Sequence, residues 1–102
     1  MQEHFAQCLS PSGLHQMRYT EWGQRANPRI VICVHGLTRN CRDFDALAQV
    51  LEHEFRVVCP DIVGRGQSEW LADKQHYGLA QYLADVNTLL ARLTADGPRE
   101  IL

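Results

Sequence analysis

Residues 30–37, Ile-Val-Ile-Cys-Val-His-Gly-Leu, constrain this chain more than any other stretch. Five apolar residues, most of them β-branched, run straight into a His-Gly dipeptide. A run this short and this β-rich predicts a strand over 30–35 buried on both faces, as in the middle of a parallel sheet. Gly36 lets the backbone turn sharply just past the strand and leaves an amide N–H pointing into open space. A parallel strand also needs a crossover, and the chain supplies one. Asn40 can cap a helix start, with Asp43 near the positive end of the dipole. Phe44, Leu47, Ala48 and Leu51 then form one apolar stripe at helical spacing. Residues 55–59, Phe-Arg-Val-Val-Cys, return to a β pattern and stop at Pro60. Strand, helix and strand over 30–59 have the size of a βαβ unit.

The flanking segments extend this α/β core. Residues 4–9 and 14–22 read as two strands joined by Ser10-Pro11-Ser12-Gly13, an antiparallel β-hairpin. A loop with Asn27-Pro28 leads into the buried strand, and another from Pro60 to Gly78 carries Gly64 and Gly66. A second amphipathic helix runs from Leu79 to Thr94, with Leu79, Leu83, Val86, Leu90 and Leu93 on one face. Gly97-Pro98 ends it, and Arg99-Glu100-Ile101-Leu102 enters a further strand. The whole reads as one partial domain over residues 1–102.

Composition removes several function classes. The net charge is −2 and the basic residues are scattered, so nothing predicts nucleic acid as a partner. The longest apolar runs fall far short of the roughly 20 residues that span a bilayer, and Met1 to Phe5 show no signal-peptide pattern. The expectation is a protein with no membrane partner, in the cytoplasm. Cys8, Cys33, Cys41 and Cys59 lack the paired close spacing of metal sites, and the five histidines lack it too, so no metal is expected. Cys33 and Cys59 fall in core strands, where a reduced thiol acts as a small apolar side chain. Cys41 lies near a helix N-terminus, where thiolate is favoured.

Two segments carry chemistry. After His35-Gly36, the backbone N–H of Leu37 is a candidate oxyanion donor, since a fixed amide can aim at charge that develops only in a transition state. His35 would brace the turn through its ring. The alternative is a capped strand end with no ligand. The second segment is Pro60-Asp61-Ile62-Val63-Gly64-Arg65-Gly66-Gln67-Ser68, a tight loop at the carboxyl end of a strand, where parallel sheets present ligands. Glu69 stands where a dinucleotide fingerprint needs its third glycine, and no Lys follows a Gly as a phosphate loop requires, so no nucleotide cofactor is expected. Gly66-Gln67-Ser68-Glu69-Trp70 is half of a nucleophile elbow but lacks the preceding strand, the following helix and the second glycine. Ser68 therefore reads as a serine that hydrogen-bonds its own loop. Arg39 and Arg42 flank the site mouth, either to meet an anionic substrate or as solvated surface.

In order, these pieces resemble the N-terminal part of the α/β-hydrolase fold family. The resemblance runs from the hairpin through Val31 to Gly36, the helix with Phe44 and Leu47, Arg56 to Asp61, Gly64 to Ser68, and Tyr82 and Asp85 on the second helix. It implies that Leu37 gives an oxyanion-hole N–H beside His35 and Gly36. It implies that Asp61, Gly64, Gly66 and Ser68 form a structural loop beside the active site. The family's sheet order places the 55–59 strand on one side of the 30–35 strand and the strand at Leu102 on the other. The nucleophile elbow would follow that last strand, with the acid and catalytic histidine later still, so no triad residue carries over. The expectation is an α/β-hydrolase fold truncated before its nucleophile elbow. Its parent would be a serine hydrolase acting on a small-molecule ester, lactone or related acyl substrate, without cofactor, and the chain alone would be inactive. The alternative is a non-catalytic half-domain completed by a partner chain at the exposed sheet edge.

Overall fold

Strands β1 (Gln2–Ser10) and β2 (Gly13–Trp22) form the expected antiparallel hairpin. Ser10 closes its turn: the hydroxyl accepts the Ser12 N–H at 3.1 Å and donates to the Gly13 carbonyl at 3.1 Å. The register sets Ala6 opposite Met17 and Cys8 opposite His15. The computed structural model describes residues 1–35, 40–71, 77–95, 97 and 99–101.

The parallel part of the sheet consists of β3 (Arg29–Ile32), β4 (Arg56–Pro60) and β5 (Glu100–Ile101). The order is β1-β2-β4-β3-β5, with β2 and β4 antiparallel and β3 parallel to both neighbours. The flanking of β3 by the 56–60 strand and by the strand entered at Glu100 is the arrangement the family resemblance implies. Strand boundaries differ from the expected ones, most of all at the ends of β3 and β4. The central strand ends at Ile32 rather than at residue 35, although the Cys33 N–H still donates to the Val58 carbonyl at 3.0 Å. Val34 has left the sheet and is half exposed. Pro60 is the last residue of β4, opposite Tyr19, because at a strand end a missing N–H costs the ladder little.

Successive strand residues point to opposite faces, and both faces are covered. On one, Ala6, Cys8, Met17, Tyr19, Ile30 and Val58 pack with Leu89 and Leu93 of helix α2 (Leu79–Leu93). On the other, Trp22, Cys33, Val57 and Cys59 pack with Cys41 and with Ala48 of helix α1 (Asp45–Leu51). Asn40 caps this second layer as expected, its side chain accepting the Arg42 N–H at 2.9 Å. The turn it starts is a 3-10 helix, Cys41–Phe44, which continues into α1. Of the expected stripe, Ala48 is buried and Phe44 and Leu51 are partly buried against it, whereas Leu47 is half exposed.

The α2 face departs further from expectation. Gln81, Asp85, Leu89 and Leu93 turn inward, while Leu79 and Leu83 are exposed. The buried line recurs every four residues and carries polar groups in its first half. A search for apolar periodicity finds Leu93 of this line but otherwise selects Leu79, Leu83, Val86 and Leu90 instead.

Candidate active site

The chain leaves β3, forms α1 on one face of the sheet and returns as β4 on one side of β3. It then forms α2 on the other face and returns as β5 on the opposite side of β3. In such sheets the crevice lies beyond the carboxyl end of the strand where the order reverses, because the two connections diverge there. That strand is β3, and His35 stands just past its end.

His35 is buried, and its Nε2 accepts the Ile62 N–H at 2.9 Å. An amide can only donate, so Nε2 presents its lone pair. The ring thus ties the segment leaving β3 to the loop leaving β4, the bracing role expected of it. Gly36, Leu37 and Arg39 lie outside the described residues. Arg42 is exposed and its Nε donates to Asp45 at 2.6 Å, so it sits in a surface ion pair on the helix turn.

The loop after β4 is organised by Asp61, which is fully buried. Its Oδ1 accepts the Cys41 N–H at 2.6 Å. Its Oδ2 accepts the Gln67 N–H at 2.9 Å and the Arg18 Nε at 2.7 Å. One carboxylate therefore joins β2, the start of the 3-10 turn and the loop. Burial alone would raise its pKa, but the amides of Gln67 and Cys41 and the Arg18 guanidinium outweigh that and hold it below the ordinary value. The Arg18 guanidinium reaches Glu3 as well, at 3.0 Å.

Ser68 does what its local context predicts. Its hydroxyl donates to the Asp61 carbonyl at 2.6 Å and accepts the Arg18 N–H at 2.9 Å. It is buried inside the loop, with the geometry of a staple. Glu69 pins the loop to β2 as well, exchanging its N–H and carboxylate with the Gln16 carbonyl and N–H at 2.9 and 2.6 Å. Gly66 has φ +53° and packs directly on the Asp61 carboxylate, where a Cβ would collide. The Gly64 N–H donates to the Glu69 carbonyl at 2.9 Å. Beside them the Arg65 guanidinium donates to the Val63 carbonyl at 2.8 Å and to the Tyr82 hydroxyl at 3.3 Å, which links the loop to α2.

Cys41 corrects a sequence expectation. Its thiol is fully buried, and burial together with the Asp61 carboxylate pushes it up to about 11. Any help from a helix start is lost to the neighbouring anion, so the thiol stays protonated. Arg18 and the Cys41 amide are the partners sequence reading misses. The signal for Arg18 is a cation in the middle of a strand, flanked by Met17 and Tyr19.

The loop's geometry can hold the two chain segments that leave β3 and β4 in fixed relation. It offers no nucleophile among the described residues, since Ser68 is consumed by the loop.

The sequence model of the alpha/beta hydrolase fold matches residues 29–98. The 3-hydroxybutyrate-oligomer hydrolase of Cupriavidus necator is 58% identical over 92 residues, which cover 90% of this chain and 31% of that protein. Among solved structures, a Rickettsia typhi protein assigned as a hydrolase superposes with a TM-score of 0.86 at 32% identity, over 91% of this chain and 36% of the other. An alpha/beta hydrolase from Novosphingobium aromaticivorans gives 0.69 at 36% identity, over 89% and 31%. The chain spans about a third of the length of the relatives it matches.

Proposed function

Because the chain belongs to the alpha/beta hydrolase fold family, we propose that it is the N-terminal part of a serine hydrolase that cleaves a small ester, lactone or related acyl substrate. In this reading the Leu37 N–H is one oxyanion donor, His35 and Gly36 shape the turn that aims it, and the Asp61–Ser68 loop holds that turn in place. The observation that carries the reading is His35 itself, set beyond the carboxyl end of β3 and bound to Ile62 at 2.9 Å. The likeness to the 3-hydroxybutyrate-oligomer hydrolase supports short hydroxyacyl esters as the substrate class in this reading.

The chemistry divides between parts. A serine alkoxide must attack the acyl carbon, and a fixed N–H must stabilise the charge that moves onto the carbonyl oxygen. This segment provides the second element only, so the 102 residues alone are inactive. The nucleophile, its base and its acid belong to the polypeptide that continues past β5.

The test compares the isolated chain with that longer polypeptide on a hydroxybutyrate dimer. Turnover is expected only from the longer form. In it, Leu37→Pro removes the amide and should lower kcat by about 10²–10³-fold with KM little changed. Leu37→Ala keeps the amide and should keep kcat. Hydrolysis by the isolated chain, or equal loss in both variants, would overturn the reading.

A further inference from the structure

The α2 face of the sheet holds a side-chain cluster that ester hydrolysis does not use. Cys8 and His15 are direct cross-strand partners in the β1–β2 hairpin, so their side chains leave the same face within reach of each other. Helix α2 packs over that face and sets the Asp85 carboxylate 2.8 Å from the His15 Nε2. The thiol sulfur, a ring nitrogen and a carboxylate oxygen all lie within 4.8 Å of one another. All three residues are buried, at 1%, 3% and 1% exposure.

A further observation points to a ligand. The His15 Nδ1 is buried and has no hydrogen-bond partner among the described residues, which native interiors rarely allow without a cause. The carboxylate, by contrast, is held rigidly. Gln81 donates to its Oδ1 at 2.7 Å and to the Leu9 carbonyl at 3.1 Å. The donor set suits a divalent cation, because a coordinated thiolate and carboxylate together supply two negative charges and a neutral imidazole supplies none.

We propose that Cys8, His15 and Asp85 bind a divalent transition-metal cation of the zinc class, in a buried structural site that ties the hairpin to α2. Sulfur, nitrogen and oxygen donors in one set suit zinc, whereas magnesium and calcium require oxygen alone. Binding forms bonds to Sγ, a ring nitrogen and a carboxylate oxygen, releases the Cys8 proton to solvent and moves no electron. The site lies on the face of the sheet opposite the Arg18–Asp61 contact, so its role is to hold elements together. Sequence spacing hides it, because the hairpin register and a helix 70 residues further on bring the ligands together.

The test is a titration of the purified, chelator-treated full chain with Co²⁺, which occupies zinc sites and reports a thiolate ligand by a near-ultraviolet sulfur-to-cobalt band. A saturable 1:1 band is expected, erased by added Zn²⁺, with a higher thermal midpoint in the metal-loaded chain. Cys8→Ser should abolish the band and Cys33→Ser should keep it. If circular dichroism shows Cys8→Ser to be unfolded, Asp85→Asn decides: it keeps the thiol and the shape, and should weaken cobalt affinity at least tenfold. No band from the folded chain at millimolar cobalt would overturn the site. So would a band that survives Cys8→Ser, or an affinity unchanged in Asp85→Asn.

Discussion

Asp61 shows how one side chain can hold a loop in a shape that no local rule dictates. Its carboxylate satisfies two backbone amides and one guanidinium, all within 2.9 Å. Asp61→Asn keeps the shape but removes the charge and leaves Arg18 buried beside a neutral amide. Breaking such a pair costs about 3–5 kcal/mol, which a shift in the urea midpoint would reveal. The pH dependence follows from the direction of the shift. The folded-state pKa is lowered from an ordinary 3.8, so the stabilisation is complete above that value and is lost as pH falls through the lower folded one. Stability measured between about pH 5 and pH 2 should fall less steeply in the asparagine variant than in the parent. Gly66 belongs to the same account. Gly66→Ala must hold φ +53° and drive a Cβ into the carboxylate, whereas Gly13→Ala at φ +106° meets open space. Both carry the strain of a left-handed backbone, about 1–2 kcal/mol, and only Gly66→Ala adds a collision. Equal denaturation midpoints for the two variants would contradict the packing described for Gly66. The Asp61–Ser68 spacing is legible in sequence because glycines mark a tight loop. Arg18 is not, because its partner stands 43 residues away.

At the scale of elements, α2 shows where pattern reading fails and why. Leu79, Leu83, Val86, Leu90 and Leu93 have the spacing of a core face, yet Leu83 is 60% exposed and Leu89, outside that stripe, is fully buried. The helix is rotated so that Gln81 and Asp85 meet Leu9 and His15 of the hairpin. Buried polar groups with good partners stabilise this orientation, and apolar periodicity has no means of counting them. The groove left on the outer side is lined by Leu83, Val86 and Leu90 with Ala80, Ala84 and Asn87. Leu89→Ala should therefore cost about 2–5 kcal/mol, the range for emptying a closed core site. Leu83→Ala should stay within about 0.5 kcal/mol of the parent. Chemical denaturation of the pair settles the helix orientation, and the reverse ranking would restore the stripe read from sequence. The strands were more legible than the helices. Their positions and the parallel direction of β3 and β4 follow from β-branched runs and from the helical connection between them, neither of which depends on side-chain partners, whereas the order of the sheet is legible only through the family resemblance.

Across the whole molecule, the sheet divides the core into two layers, and the thiols sample both. Cys8 lies under α2, whereas Cys33, Cys41 and Cys59 lie under α1. No helix among the described residues is long and apolar enough to cross a membrane. Burial pushes Cys59 up to about 12, with Cys33 adding to the effect, and raises Cys33 too. A thiol with a pKa near 11 or 12 is ionised to about one part in a thousand or less at pH 8, against about a quarter for an unperturbed cysteine. Native chain treated with iodoacetamide and chelator at pH 8 should therefore resist labelling at Cys8, Cys41 and Cys59, and burial should protect Cys33 as well. The labelling pattern on adding denaturant then reports cooperativity. Strand β4 lends Val58 to one layer and Val57 and Cys59 to the other, so loss of β4 opens both at once. Peptide mass spectrometry should find Cys8 and Cys59 becoming labelled over the same range of urea. Exposure of Cys8 well before Cys59 would mean that the hairpin and α2 separate from a surviving parallel core, and that the two layers are independent units.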